Sequence, residues 1–298
     1  MPEYFLALSA AIFWAISTQF INRGLQEIPE SNRREWVATG LFVSMFFGFL
    51  TLTPIAINLE KVLDTNINIV LSGIFTFPLA TGIYYLTSDK FSKRSEFASV
   101  FSRIKPLFSF VVAFLILDEL VNKGTIIAIT FVVIGILVLF LGIRLKQLNK
   151  EGVFLGIFTA LLWSIGEYFM KEGIGSINPI LATWVALLSG LVVYSISIPI
   201  LTNYKIFSLA REVKRMWPFA VHGILSFGIA YSLFFDSISK IGVGKTVLIA
   251  SFWPIFGLII GAINRIKKGK SPDIPLTMII ASIFILLGSV IEILNSMN

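Results

Sequence analysis

The sequence predicts an all-α integral membrane protein in which ten transmembrane helices form two inverted five-helix repeats. Three observations carry this reading. Apolar residues make up 56% of the 298-residue chain and charged residues only 14%, too few polar groups to cover a water-soluble surface. Ten apolar segments each approach the ~20 residues that a helix rising ~1.5 Å per residue needs to cross the hydrocarbon core. The segments also repeat. At an offset near ~149 residues, Ala11, Trp14, Ile16, Phe20 and Gly24 pair with Ala160, Trp163, Ile165, Phe169 and Gly173. Further on, Gly82-Ile83-x-Tyr85 matches Gly228-Ile229-x-Tyr231, Asp89-x-x-Ser92-Lys93 matches Asp236-x-x-Ser239-Lys240, and Pro106 matches Pro254. Five is odd, so the second repeat enters the bilayer from the opposite side, and inverted repeats are a transporter signature.

The first repeat, residues 1–147, opens with the segment Tyr4–Arg23. Met1-Pro2-Glu3 ahead of it has no basic n-region, and the apolar run passes Trp14 to Ile21 without a cleavage site, so it reads as a retained helix. Trp36–Ile57 and Ile67–Ser88 follow as uninterrupted apolar windows. Phe97–Leu117 is less regular, because it carries Arg103, Lys105 and Pro106, and Thr125–Ile143 closes the repeat. The second repeat, residues 148–298, runs through Val153–Met170, Pro179–Leu201, Trp217–Ile238, Val243–Asn264 and Pro275–Leu294, with Pro or Gly marking several boundaries. The charged stretches between them, such as Arg144–Glu151 and Arg265–Lys270, are too short for a soluble domain.

Lys and Arg cluster in the odd-numbered connections by roughly three to one, which by the positive-inside rule places those connections in the cytoplasm and both termini outside. The net charge of +7 is then mainly an anchoring device; nucleic-acid binding is not expected. Cys is absent and His222 is the only His, so disulfides, thiol chemistry, thiolate metal sites and a His cluster are excluded. Neither cofactor nor metal is expected.

Two repeats, each opening with an apolar helix that bears a central Trp and each carrying a Pro-centred fourth helix, resemble the EamA-type branch of the drug/metabolite transporter superfamily. The acidic end of the fourth helix, Leu117-Asp118-Glu119, fits the same resemblance, whereas the second copy has Arg265-Ile-Lys267-Lys268 there. The outside termini also depart from the superfamily's usual cytoplasmic ones. The resemblance implies a bundle around a central cavity that moves amino acids, other small metabolites or drugs by alternating access.

Arg103 and Lys105 are the most costly residues. The apolar run after them, Leu107–Leu117, covers only ~16 Å as a helix, about half the core, so both are expected inside the membrane. A charge there costs at least ~2.5 kcal/mol and normally faces a cavity or a partner. Two residues apart, the pair points to opposite sides of a regular helix, so one is expected to line the cavity while the other snorkels or pairs. Pro106 can bend the helix beside them.

On the first and sixth helices, Trp14, Thr18 and Asn22 stack on one face, as do Trp163, Glu167 and Lys171. Both Trp residues sit near mid-helix, away from the interfacial belt, and suit either cavity lining or packing. Glu167, the carboxylate well inside a span, is either an i,i+4 partner of Lys171 or a site for a proton or a substrate ammonium. Tyr84, Tyr85, Tyr168 and Tyr231 can bond a substrate, or anchor to the interface. Trp253 stands where the first repeat has Lys105, setting an aromatic group opposite a cation. Gly257 and Gly261 answer to Ser109 and Ala113, small residues spaced for close helix contact. Gly244-Lys245-Thr246 lacks the earlier Gly of a phosphate loop, and Lys245 is expected to snorkel. His222 reads as a satisfied or pore-facing polar residue.

Together these features point to a secondary transporter of a small polar or amphipathic metabolite, an amino acid or organic anion ahead of a phosphorylated sugar. A lipid or lipid-linked-sugar flippase and a membrane-embedded enzyme are the rivals, the latter without a His-Glu-x-x-His or Gly-x-Ser-x-Gly motif in its favour. The expected partners are a small-molecule substrate, the lipid bilayer and a coupling proton, in a monomer or weak homo-oligomer; in a prokaryote the membrane would be the cytoplasmic one.

Overall fold

A computed structural model of the chain describes residues 2–57, 66–90, 104–141, 150–202, 206–267, 269 and 276–295. Eight helices long and apolar enough to cross a membrane and two shorter apolar ones, Lys105–Ile116 and Lys123–Val138, succeed one another among them. Helices α1 (Pro2–Glu27) and α2 (Arg33–Ala56) are continuous, and α3 (Ile67–Asp89) follows. The short α4 (Lys105–Ile116) precedes α5 (Lys123–Leu141). In the second half come α6 (Lys150–Ile174), α7 (Pro179–Thr202), α8 (Val213–Ile241), α9 in two pieces (Val243–Ala250 and Trp253–Lys267), and α10 (Leu276–Asn295). Eight of these helices are long and apolar enough to cross a membrane; the described apolar parts of α4 and α5 are shorter. The protein is a multi-pass integral membrane protein.

Proline and glycine shape the helices that matter most for the site. In α3 the residues Phe75–Thr81 wind as a π-helix around Pro78. Proline has no amide hydrogen to give to a normal α-turn, and within the same segment the Thr81 hydroxyl donates to the Thr76 carbonyl at 2.7 Å. The corresponding place in α8, Gly223–Ala230, is π-helical as well.

The ninth segment was expected as a Pro-centred helix over Val243–Asn264. Instead the chain turns at Ser251 and Phe252, because Pro254 fits the first turn of a helix and not its middle. Lys105-Pro106 opens α4 in the same way. One hydrogen bond recurs at both places: Leu107 N–H donates to the Ile104 carbonyl and Ile255 N–H to that of Phe252, each at 2.9 Å.

Helices pair across the repeats, α2 with α7, α4 with α9, α5 with α10, and α1 with α8 as α6 with α3. At one end of the bundle, α4 stops where Asp118 takes a left-handed φ of 49°, a helix-ending conformation that Asp tolerates. Glu119 then reaches across the repeats and accepts hydrogen bonds from the amides of Val243 (2.6 Å) and Gly244 (2.9 Å), capping α9. The close α4–α9 approach falls beside that cap, where a Cβ on Gly244 would lie 3.2 Å from the Ala113 methyl. For Gly257 and Gly261, expected at a close helix contact, an added Cβ meets nothing within 4 Å among the described residues.

Candidate functional site

Helical spacing builds the centre of the molecule. Lys105 and Ser109 stand one turn apart on α4, and Ser164 and Glu167 one turn apart on α6, so each helix turns two polar groups to one face. Those faces meet. Lys105 Nζ lies 2.5 Å from Glu167 Oε1, the Ser109 hydroxyl donates to Glu167 Oε2 at 2.5 Å, and the Ser109 and Ser164 oxygens are 2.9 Å apart. Glu167 is only 3% exposed, so its charge depends on these partners rather than on water. Deleting one member of such a pair typically costs about 3–5 kcal/mol, because the other is left buried and uncompensated.

Aromatic rings surround the ammonium. Lys105 Nζ stands 4.7 Å from the ring centre of Phe234, 5.6 Å from Trp14 and 5.9 Å from Trp163, all within cation–π range. The rings brace one another. Trp14 packs on Phe234 at 4.9 Å and on Tyr231 at 5.1 Å, and Tyr84 packs on Trp163 at 5.4 Å. Trp163 Nε1 donates to the Thr81 hydroxyl at 3.3 Å, beside the π-turn of α3.

A cavity opens next to this cluster, with about 860 Å3 of space once the open solvent at its mouth is counted. Both repeats line it, with Trp14 and Thr18 from α1, Tyr84 from α3, Lys105 and Pro106 from α4, Trp163 from α6, Tyr231 from α8 and Trp253 from α9. His222 lines it too. Its Nδ1 lies 3.3 Å from the Ser17 carbonyl, an atom that can only accept, so Nδ1 carries a proton.

Most of the residues singled out in the sequence therefore converge. Lys105, Glu167, Trp14, Thr18, Trp163, Trp253, Tyr84 and Tyr231 belong to one site. Arg103 lies outside the described residues, as does the side chain of Pro254. Tyr168 packs edge-on against Phe169 at 5.2 Å and is not among the cavity-lining residues. Tyr85 is buried and bonded to Ser44 at 2.8 Å. The partner of Glu167 is Lys105 rather than Lys171, whose ammonium donates to the Ile238 carbonyl at 3.2 Å.

Sequence reasoning missed Phe234 and the hydroxyls of Thr81 and Ser109. Ser109 had a readable signal, since it lies four residues after a membrane-embedded Lys; Phe234, one of 28 phenylalanines, had none.

The model of the EamA-like transporter family matches the chain twice, over residues 1–141 and over residues 150–294. No curated protein matches it. A solved crystal structure, 14% identical in sequence, superposes with a TM-score of 0.70 over 99% of this chain and 97% of its own. That likeness shows a shared fold.

Proposed function

Because the chain belongs to the EamA-like transporter family, within the drug/metabolite transporter superfamily, we propose that it is a secondary transporter of a small polar or amphipathic metabolite. An amino acid or an organic anion fits the site best. The observation that carries this reading is a cavity lined from both repeats with the Lys105–Glu167 pair at its edge, the carboxylate buried and the lysine half-buried. Charged groups inside an apolar bundle are costly and mark ligand or ion sites by default. Rocking of the two halves about this site would expose it alternately to the two sides. In this reading Lys105, together with Arg103, holds an anionic group, the three Trp residues wall the cavity, and Glu167 handles a proton or an amine. The family is one of transporters, and an enzymatic role has no motif in its support.

The test is a thermal-shift screen of the detergent-solubilised protein against a metabolite library, followed by flux measurements in proteoliposomes. A ligand of the native state raises the melting temperature by mass action. Hits that are also carried across the membrane support the proposal, and hits converted chemically without net movement would replace it with the enzymatic reading.

A further inference from the structure

We infer that Glu292 is a proton-binding site outside the cavity, and that its carboxyl group carries a proton in the conformation described above. The inference does not depend on the transporter reading. Glu292 lies one turn before the end of α10, close enough to the end of an apolar run for its carboxylate to reach the headgroups. Instead its exposure is 0%. Neither of its oxygens has a hydrogen-bond partner among the described residues.

The donors around it are committed elsewhere. Ser289 and Asn295, one turn before it and one turn after it, share its face of α10. The Ser289 hydroxyl donates to the Leu248 carbonyl of α9 at 2.7 Å, and the Asn295 amide donates to Asn122 Oδ1 at 2.7 Å. Thr125 faces Glu292 from α5, but its hydroxyl donates to the same Asn122 oxygen at 3.1 Å. Lys245, at the start of α9, is the charged group that acts on Glu292 among the described residues. No hydrogen bond joins the two.

A carboxylate with neither a donor nor a cation in hydrogen-bond reach is among the costliest groups to hold in an apolar interior, whereas the neutral acid leaves only ordinary polar atoms unpaired. A proton is the ligand that cancels the charge without needing a cavity. Glu167 makes the contrast, because Lys105 and Ser109 support its charge directly. Lys245 gives the Glu292 site a second state. It is half-buried on the short first piece of α9, which ends at the turn of Ser251 and Phe252. A movement of that piece that joined ammonium to carboxylate would favour the ionised form and release the proton. Proton binding and the packing of α9 on α10 are thus linked.

Infrared spectra of the purified, detergent-solubilised protein test the site directly. Exposed carboxyl groups are ionised at about pH 7, so the carbonyl stretch of a protonated acid reports buried ones. Wild type should show that band at neutral pH, and Glu292→Gln should lose one carboxyl group's share of it. Spectra that superpose there mean that Glu292 is ionised in the fold, and overturn the inference. If Glu292→Gln does not fold, the wild type carries the test alone: the band should vanish on denaturation, and its absence from the folded protein overturns the inference. Lys245→Gln should keep the band to a higher pH than wild type does, and a band lost at the same pH would overturn the part given to Lys245.

Thermal melts supply the independent measurement. Gln has the shape of the neutral acid, so wild type and Glu292→Gln should melt alike at about pH 5. As pH rises to about 8, the folded wild type holds a proton that the unfolded chain has lost, so its melting temperature should fall behind that of the variant by about 2 °C or more. A gap that does not grow with pH overturns the inference.

Discussion

The fourth helices of the two repeats are built on one backbone plan and carry opposite chemistry. In each, a described helix opens on a residue followed by proline, and each makes the same 2.9 Å hydrogen bond at that opening, from Leu107 to Ile104 and from Ile255 to Phe252. Yet the residue before the proline is Lys105 in one and Trp253 in the other, and both line the cavity. Duplication has kept the feature that fixes where a side chain enters the cavity and let the side chain itself diverge. An inverted pair of identical repeats would offer a ligand two equivalent poses. The Lys–Trp difference offers it one.

Removing the cation from the first repeat is the strongest way to break this asymmetry. Lys105→Gln is expected to lower stability by about 3–5 kcal/mol, seen as a fall in melting temperature, and adding Glu167→Gln should return most of that loss by removing the orphaned charge. Single and double variants that melt alike would mean that the ion pair does not hold the repeats together. Arg103→Gln is the companion variant. It should reduce transport by about tenfold with a much smaller change in folding yield, and a Lys at that position should rescue only part, because a point charge cannot reproduce a bidentate fork.

The next test asks whether the carboxylate facing that cation couples transport to protons. Glu167→Gln should abolish uphill accumulation driven by a pH gradient and leave substrate counterflow measurable. Unchanged pH-driven transport would make Glu167 a structural partner of Lys105.

How much of this was legible in the sequence depends on the kind of signal. Hydropathy placed the helices, since water exclusion acts on whole segments, and the repeat placed Trp14 against Trp163 and Lys105 against Trp253. The pairing of Glu167 was misread because i,i+4 proximity to Lys171 is visible along one helix, whereas Lys105 arrives from another. The break in α9 was foreshadowed by Pro254, but whether a proline bends a helix or restarts it depends on how the neighbouring turn is satisfied.

A smaller effect is expected where the repeats meet at the Glu119 cap. Glu119→Gln keeps one acceptor, loses the charge and turns its NH2 to the second backbone N–H, so it should cost about 1–3 kcal/mol of stability. Gly242→Ala should cost about 1–3 kcal/mol, because Gly242 has a φ of 86° and an added Cβ would lie 2.7 Å from the Glu119 carboxylate. Thermal melts of the two variants measure both.

The last test perturbs no energy and fixes which way the asymmetry faces. With no Cys in the chain, one Cys placed in the Arg144–Glu151 connection should be protected from an impermeant thiol reagent in intact cells, and one at Asn298 should be labelled, as the Lys and Arg bias requires. The reverse pattern would restore the superfamily's usual orientation.

The Glu119 cap also has a consequence for biosynthesis. Val243 is translated 124 residues after Glu119, when the half that supplies the cap has already left the ribosome. The first amides of α9 find their acceptors in a residue of the other half, so this cap is completed only after both halves have been made.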